Sequence, residues 1–448
     1  MKKFIRLFFL IFVIFFSTGI VNAETIDSAI AKCGINRSAV AVSVRDIKTG
    51  KVLYQLNEKH PMIPASTLKT ITYTIAADTL GEDFKFSTEL YTNKNNELYL
   101  KLAADPFLTT KDLKVLFEKA AEQNIVEPEK IYIDDFVIDN NEWGEGWQWD
   151  DDLNPLMPKF SAYNLDKNLL TAKIEPAAKG TPANIYLTTF YPVTFMNLVM
   201  TGDDNNVTLS RQNYIAPDVI TAEGTVKKAF TINFPVNYPK RYFLLRLEES
   251  IKDAHMEYYN GFKQEKLPDT NVCITAKAEH DLSKAADEIL KQSSNFAAES
   301  LFKIAGGKYA ANTGTIDYAL RMADAYFEKK GLNASDIRIV DASGVSKNNL
   351  MTADFMTAFL ILEADNQLLT EHLPKPSEGT LENRMLYFND KLKAKTGTVS
   401  NVSAIAGYLT TRKGTTVAFD IMTNDSKSLP SDKKMLEEYI LRAVYTNY

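Results

Sequence analysis

Ser66 and Lys69 are the pair in this sequence best placed for covalent chemistry. They lie in Pro64-Ala65-Ser66-Thr67-Leu68-Lys69, where a strand-like run gives way to a helix-like one. Leu68, Ile71 and Ile75 recur at helical spacing from Thr67 to Leu80, and Gly81 is a stop signal. Ser66 is therefore expected in the first turn of a helix, with Lys69 on the same face. A serine hydroxyl is a poor nucleophile at its ordinary pKa and needs a base beside it. A lysine in a dry pocket, close to another cation, can lose its proton and act as that base. The helix N-terminus adds N–H donors that favour an alkoxide or a nearby oxyanion.

The same spacing occurs at Ser300/Lys303 and Ser431/Lys434, so the pair alone does not single out a site. Two further groups do, because they follow Ser66 in an order that acyl transfer can use. Ser293-x-Asn295 offers a hydroxyl to relay a proton to a leaving amine and an amide to hold a substrate amide. Lys395-Thr396-Gly397-Thr398 offers positive charge for a substrate carboxylate, a charge that also helps keep Lys69 neutral. Thr396 and Thr398 supply hydroxyls to that carboxylate. If residues 395–398 form an edge strand beside Ser66, the N–H groups of Ser66 and Thr398 form an oxyanion hole. Lys48-Thr49-Gly50 precedes the nucleophile and reads as a hairpin turn.

These groups need elements to hold them. Ser38 to Leu56 reads as a hairpin, and Phe84 to Tyr91 as a strand. From Thr92 to Leu267 short β-like runs, such as Ile131–Ile133, Asn184–Leu187 and Phe230–Ile232, are broken by Asn, Asp, Gly and Pro, with a helix over Thr110–Ala121. All three tryptophans fall in Trp143–Trp149, next to Asp150-Asp151-Asp152. Two readings are open there: a ligand wall, or a loop folded onto its own domain. Leu282–Gly306 and Tyr318–Lys330 read as helices, Ser293 or Ser294 as a cap, Ile337–Val340 as a buried strand, and Ala353–Ala364 as a helix. Two strands, Ala404–Thr410 and Thr416–Met422, and an amphipathic helix over Leu429–Tyr448 close the chain.

The 448 residues suffice for two or three domains with real cores. A net charge of −6, with no basic block, argues against a nucleic-acid partner. The four histidines are scattered, which argues against a zinc peptidase, and neither a metal nor a cofactor is expected. Lys2, Lys3 and Arg6, the apolar run Leu7–Phe16 and Val21-Asn22-Ala23 together read as an export signal cleaved after Ala23; an uncleaved anchor is the other reading. No later stretch is long and apolar enough to span a bilayer. Cys33 and Cys273 are either a disulfide or two thiols.

The three ordered motifs resemble those of the penicillin-recognising serine acyltransferases, and the large insert in the long gap between the first two motifs resembles that of the D-alanyl-D-alanine carboxypeptidase/endopeptidase type, the class C low-molecular-mass penicillin-binding proteins. The resemblance extends to Ala104-Asp105-Pro106, Gly146–Asp151, Asp341–Asn349 and Gly379-Thr380-Leu381. It implies a mixed α/β (α+β) fold: an α/β/α sandwich with an antiparallel sheet, like that of serine β-lactamases, plus β-rich inserted domains. The expected division is a signal at 1–23, a peptidase domain from 24–91 and 268–448, and an insert at 92–267. It implies catalysis by Ser66, Lys69 and Ser293, with Asn295, Lys395, Thr396, Gly397 and Thr398 binding substrate. Asp151 would meet the amino group of the stem peptide's diamino acid, and Lys347, where the family has arginine, its carboxylate. Lysine cannot make arginine's bidentate fork, and Ala104 and Ala342 replace usual glycines. The implied partners are peptidoglycan stem peptides, with β-lactams as covalent inhibitors, in a periplasmic or cell-wall setting. A serine β-lactamase and a catalytically dead peptidoglycan-binding protein are the competing functions.

Overall fold

The computed structural model describes residues 25–212 and 216–448; the expected export signal lies outside them. Both ends of the described chain meet in one five-stranded antiparallel sheet. Its strands run in the order Leu392–Val399, Val402–Thr410, Thr416–Asn424, Val40–Asp46, Val52–Leu56. The expected hairpin is present, closed through Gly50 at φ +68°. Val42 pairs with Ile421, so an early strand is locked to a late one.

The sheet is covered on both faces, and its alternation reflects this. Ile405, Leu409, Val417, Phe419 and Ile421 point to one side, where they pack with the helices Ile26–Cys33 and Pro430–Asn447. Each such side chain contributes about 1.5–3 kcal/mol by leaving water. The other face carries smaller residues, Ala41, Ala404, Ala406 and Ala418. The low relief on this side lets the turn Ala65–Leu68 and the helix Ala353–Leu362 lie close to the strands.

A second five-stranded sheet is mixed. Its order is Phe262–Gln264, Lys130–Asp134, Glu97–Lys101, Lys85–Asn93, Val272–Asp281. The boundary expected at residue 91 falls within the strand Lys85–Asn93, which pairs with Glu97–Lys101, inside the expected insert, and with Val272–Asp281, after it. Two three-stranded sheets follow within 169–235. One holds Leu169–Glu175, Asn184–Leu187 and Phe230–Pro235; the other holds Thr194–Thr201, Asn206–Gln212 and Ala216–Val226.

Three local readings differ from the fold. Leu282–Gly306 is not one helix: Leu282–Ala286 widens into a π turn at Asp287–Lys291, and a new helix starts at Asn295 and runs to Ala310. The break is at Ser293, which is left-handed at φ +62°, while Ser294 caps the new helix through its hydroxyl. Ile337–Val340 forms only an isolated bridge, Arg338 with Leu350, because the N–H groups of Val340 and Asp341 bond to the Asn349 side chain instead. The helix Pro239–Asp253 was not anticipated, although Pro239 at its first position and Phe243, Leu247 and Ile251 at i+4 spacing signal it. Cys33 and Cys273 are not joined in a disulfide.

Candidate active site

Ser66 sits in a tight 3-10 turn, Ala65–Leu68, that runs straight into the helix Lys69–Leu80. The turn is entered through Ala65 at φ +49°, a left-handed conformation that costs a non-glycine residue energy. Two glycines let neighbouring backbone crowd against it. A Cβ on Gly344, itself at φ +79°, would stand 2.0 Å from the Ala65 carbonyl oxygen; one on Gly397 would stand 2.8 Å from the Ser66 nitrogen. Gly397 thus brings the edge strand Leu392–Val399 against the Ser66 N–H.

Lys69 is fully buried. Its Nζ donates to Ser66 Oγ at 2.8 Å, Asn295 Oδ1 at 2.7 Å and the Ser343 carbonyl at 2.6 Å. All three ammonium donors are therefore used. Burial drives its pKa down to about 7, against the pull of Asp341 and Glu299, which favour the charged form. Lys395 is buried as well, and lies far below the usual lysine range because of burial and then the nearby Lys69. Its Nζ donates to Ser293 Oγ at 2.8 Å and to the Thr396 carbonyl at 2.8 Å. The left-handed turn at Ser293 aims its hydroxyl at Lys395. Thr396 bonds through its hydroxyl to Thr380 at 2.7 Å, and Asn295 Nδ2 donates to the Leu156 carbonyl. Ser66, Ser293, Asn295, Thr396 and Thr398 line one cleft of about 430 Å³. Thr398 is exposed at its mouth.

Asp151 and Lys347 lie at an adjoining cavity of about 230 Å³, which Asn295 and Thr398 also line. Lys347 is exposed, with only a 3.5 Å contact to Gln148 Oε1. Of the residues singled out from the sequence, Ser66, Ser293, Asn295, Thr396, Thr398, Asp151 and Lys347 line the cleft or its side pocket, Gly397 packs on the Ser66 nitrogen, and Lys69 and Lys395 lie buried behind the cleft, bonded to Ser66 and Ser293. The decoys do none of this. Ser300 accepts from Asn164, and Lys303 is committed to Asp139 and the Asn141 carbonyl. Ser431 lies in the first turn of the last helix.

The tryptophan loop is a brace more than a wall. Trp147 is buried against Trp143 and Phe160, and its Nε1 donates to Asp341 Oδ2 at 2.8 Å. Trp149 is 67% exposed. Asp341 also accepts from the N–H groups of Gly344 and Ser346 and from Asn349 Nδ2, which fixes the loop that carries the Ser343 carbonyl.

Sequence reasoning missed Glu299. It is buried, and its carboxyl accepts from the N–H groups of Ala342 and Ser343, one peptide away from Lys69. Burial first, then Asp341, raises its pKa to about 7. One signal existed: Glu299 lies four residues after Asn295, on the same helix face.

Among the described residues, no cluster of three or more metal-ligating side chains is found, and no helix is long and apolar enough to cross a membrane.

Comparison with known proteins agrees with this geometry. The model of the D-Ala-D-Ala carboxypeptidase 3 (S13) family matches residues 22–442. A D-alanyl-D-alanine carboxypeptidase of Actinomadura sp. is 26% identical over 435 residues, covering 90% of this chain and 80% of that protein. The D-alanyl-D-alanine carboxypeptidase DacB of Haemophilus influenzae is 23% identical over 404 residues, covering 85% and 84%. The crystal structure of penicillin-binding protein 4 (dacB) from Haemophilus influenzae superposes with a TM-score of 0.83 at 23% identity, covering 94% of this chain and 99% of that one. The same protein complexed with a β-lactam gives a TM-score of 0.76 at 22% identity, covering 91% and 96%.

Proposed function

Because the chain belongs to the D-Ala-D-Ala carboxypeptidase 3 (S13) family, we propose that it is a serine D,D-peptidase that cuts D-alanyl bonds of peptidoglycan stem peptides, with Ser66 as nucleophile. The observation that carries this reading is Lys69: buried, 2.8 Å from the Ser66 hydroxyl, and with its charged form disfavoured to a pKa of about 7. Such a lysine is a base at neutral pH without a histidine.

Neutral Lys69 takes the Ser66 proton as Oγ attacks the carbonyl of the penultimate D-alanine. The negative charge on the tetrahedral oxygen falls to the N–H groups of Ser66 and Thr398. Ser293, bonded to Lys395, relays to the departing amine the proton that Lys69 took from Ser66, so that Lys69 is neutral again for deacylation. Lys395, Thr396 and Thr398 hold the terminal carboxylate, and Asn295 holds the substrate amide. Water then attacks the acyl-enzyme and frees Ser66. β-Lactams acylate the same hydroxyl but leave slowly. Asp151 and Lys347 read the free amino and carboxylate groups of the stem peptide's diamino acid. We assign 24–91 and 268–448 to the catalytic unit and 92–267 to an insert. The protein works outside the cytoplasm, in the periplasm where the envelope has two membranes.

The test is the intact mass of the mature protein after benzylpenicillin, for wild type and Ser66→Ala. A stable adduct on wild type alone is expected. No adduct with the drug intact would favour a dead peptidoglycan-binding protein; no adduct with the drug destroyed would favour a β-lactamase.

A further inference from the structure

The cleft does not end at its reacting groups. It shares Lys167 and Leu169 with a second cavity of about 460 Å³, a trough also lined by Thr110, Thr171, Thr188 and Asn233. The pocket of Asp151 and Lys347 has none of these residues and opens elsewhere. The cleft therefore has two extensions, and their linings sort them. Asn295 and Thr398 belong to both the cleft and the diamino-acid pocket, whereas Ser293, Thr380 and Thr396 line the cleft but not that pocket. The groups that handle the departing amine and its carboxylate thus lie away from the diamino-acid pocket. The trough is the other way out of the cleft.

At the neck between cleft and trough the backbone is unusual. Asp166, Lys167 and Asn168 are three consecutive left-handed residues, φ +50°, +58° and +53°, with no glycine among them. Such a turn persists only when its surroundings over-determine it. Here they do. Asp166 accepts from Thr110 N, Thr110 Oγ1 and the Tyr242 hydroxyl. Asn168 is buried, accepts from Leu165 N and donates to the Lys159 carbonyl. The residue held out between these anchors is Lys167. Its Nζ reaches across the neck to both oxygens of Glu288, at 3.0 and 3.2 Å. The pair is open to water, with the lysine side chain 54% exposed, so exchange of Glu288 for another carboxylate is cheap.

We propose that Lys167 is a specificity-determining contact for the leaving strand. Its ammonium takes a carboxylate of the peptide on the amine side of the scissile bond, in exchange for Glu288, and the trough receives the rest of that peptide. A single D-alanine leaves from Ser293 and Thr396 and is too short to reach the neck. A leaving group that is itself a stem peptide, as in a crosslinked dimer, is long enough and carries further carboxylates. The proposal rests on the Ser66 reading above.

The experiment compares kcat/KM for a purified crosslinked muropeptide dimer with kcat/KM for release of D-alanine from a blocked D-Ala-D-Ala tripeptide. Lys167→Ala is expected to lower the dimer-to-tripeptide ratio about tenfold, through KM for the dimer. Lys167→Arg should hold the ratio within about twofold of wild type, which separates lost charge from a disturbed turn. Glu288→Gln, which removes the internal competitor, should raise the ratio about threefold. A ratio unchanged in Lys167→Ala, a shift of Lys167→Ala and Glu288→Gln in the same direction, or a wild type that leaves the dimer intact would each overturn the proposal. Failure of the Ser66 reading looks different: the wild type then forms no adduct with benzylpenicillin and releases no D-alanine.

Discussion

The floor of the cleft and the side pocket at Asp151 and Lys347 are built in opposite ways. On the floor, Lys69 is dry and has every donor used, and Lys395 is equally buried. In the pocket, Lys347 is wet and has one marginal contact. The contrast follows from the tasks. A base must be deprotonated at neutral pH, and only burial moves a lysine that far. A charge that reads a substrate must keep its proton and give up its water only when substrate arrives. The floor therefore carries strain and desolvation permanently, while the pocket defers that cost until binding.

Four variants would break or sharpen the comparison. The largest effect is expected from Lys69→Met: acylation by benzylpenicillin, followed as a rate of adduct formation, should fall about 10²–10⁴-fold. A fall below tenfold would remove Lys69 as the base. Gly344→Ala comes next. At φ +79°, with a Cβ 2.0 Å from the Ala65 carbonyl, it must push the Ser66 turn out of place, and acylation should drop about 100-fold while the fold, read by circular dichroism, persists.

The third test reads pH. Lys69 must be neutral to act, so the acylation rate should rise with pH through about 7. Asp341 and Glu299 both favour the charged form of Lys69. Glu299→Gln removes one of the two negative charges. The rising limb should then move to lower pH, which no merely structural loss would produce. A limb that stays in place, or moves up, would remove Glu299 from the tuning of Lys69.

The smallest effect belongs to the pocket. Lys347→Ala should raise KM for stem peptides with a free diamino-acid end about tenfold, and change a blocked D-Ala-D-Ala peptide little. Equal losses on both would show that Lys347 supports the floor instead of reading the substrate.

This division also explains what could be read from the sequence. Ser66-x-x-Lys69, Ser293-x-Asn295 and Lys395-Thr396-Gly397 were legible because acyl transfer demands those residue types close together, and each of the three spacings is local. The strands of the central sheet and the last helix were legible from alternation and spacing, whereas the covering helix Ile26–Cys33 was not read. What was hidden depends on contacts between distant segments. Val340 forgoes a strand because Asn349 takes its N–H. Ser293 and Lys167 adopt left-handed turns without the glycine that would announce them. Glu299 gains its place only when the loop Ala342–Ser343 folds over it. In each case the deciding partner is tertiary, and local propensity has no access to it.

The central sheet has a consequence in time. Its strand Val40–Asp46 pairs with Thr416–Asn424, and Ser66 is flanked by Leu392–Val399. A chain emerging from its N-terminus has the nucleophile within its first seventy residues, but lacks the strand that completes the site until nearly the whole length has been made. The early hairpin waits with an unpaired edge, a hazard for aggregation. Such pairing between remote segments also makes assembly slow. The same wiring is a safeguard: a fragment that lacks the strand Leu392–Val399 lacks the backbone that closes on Ser66, so its site is incomplete.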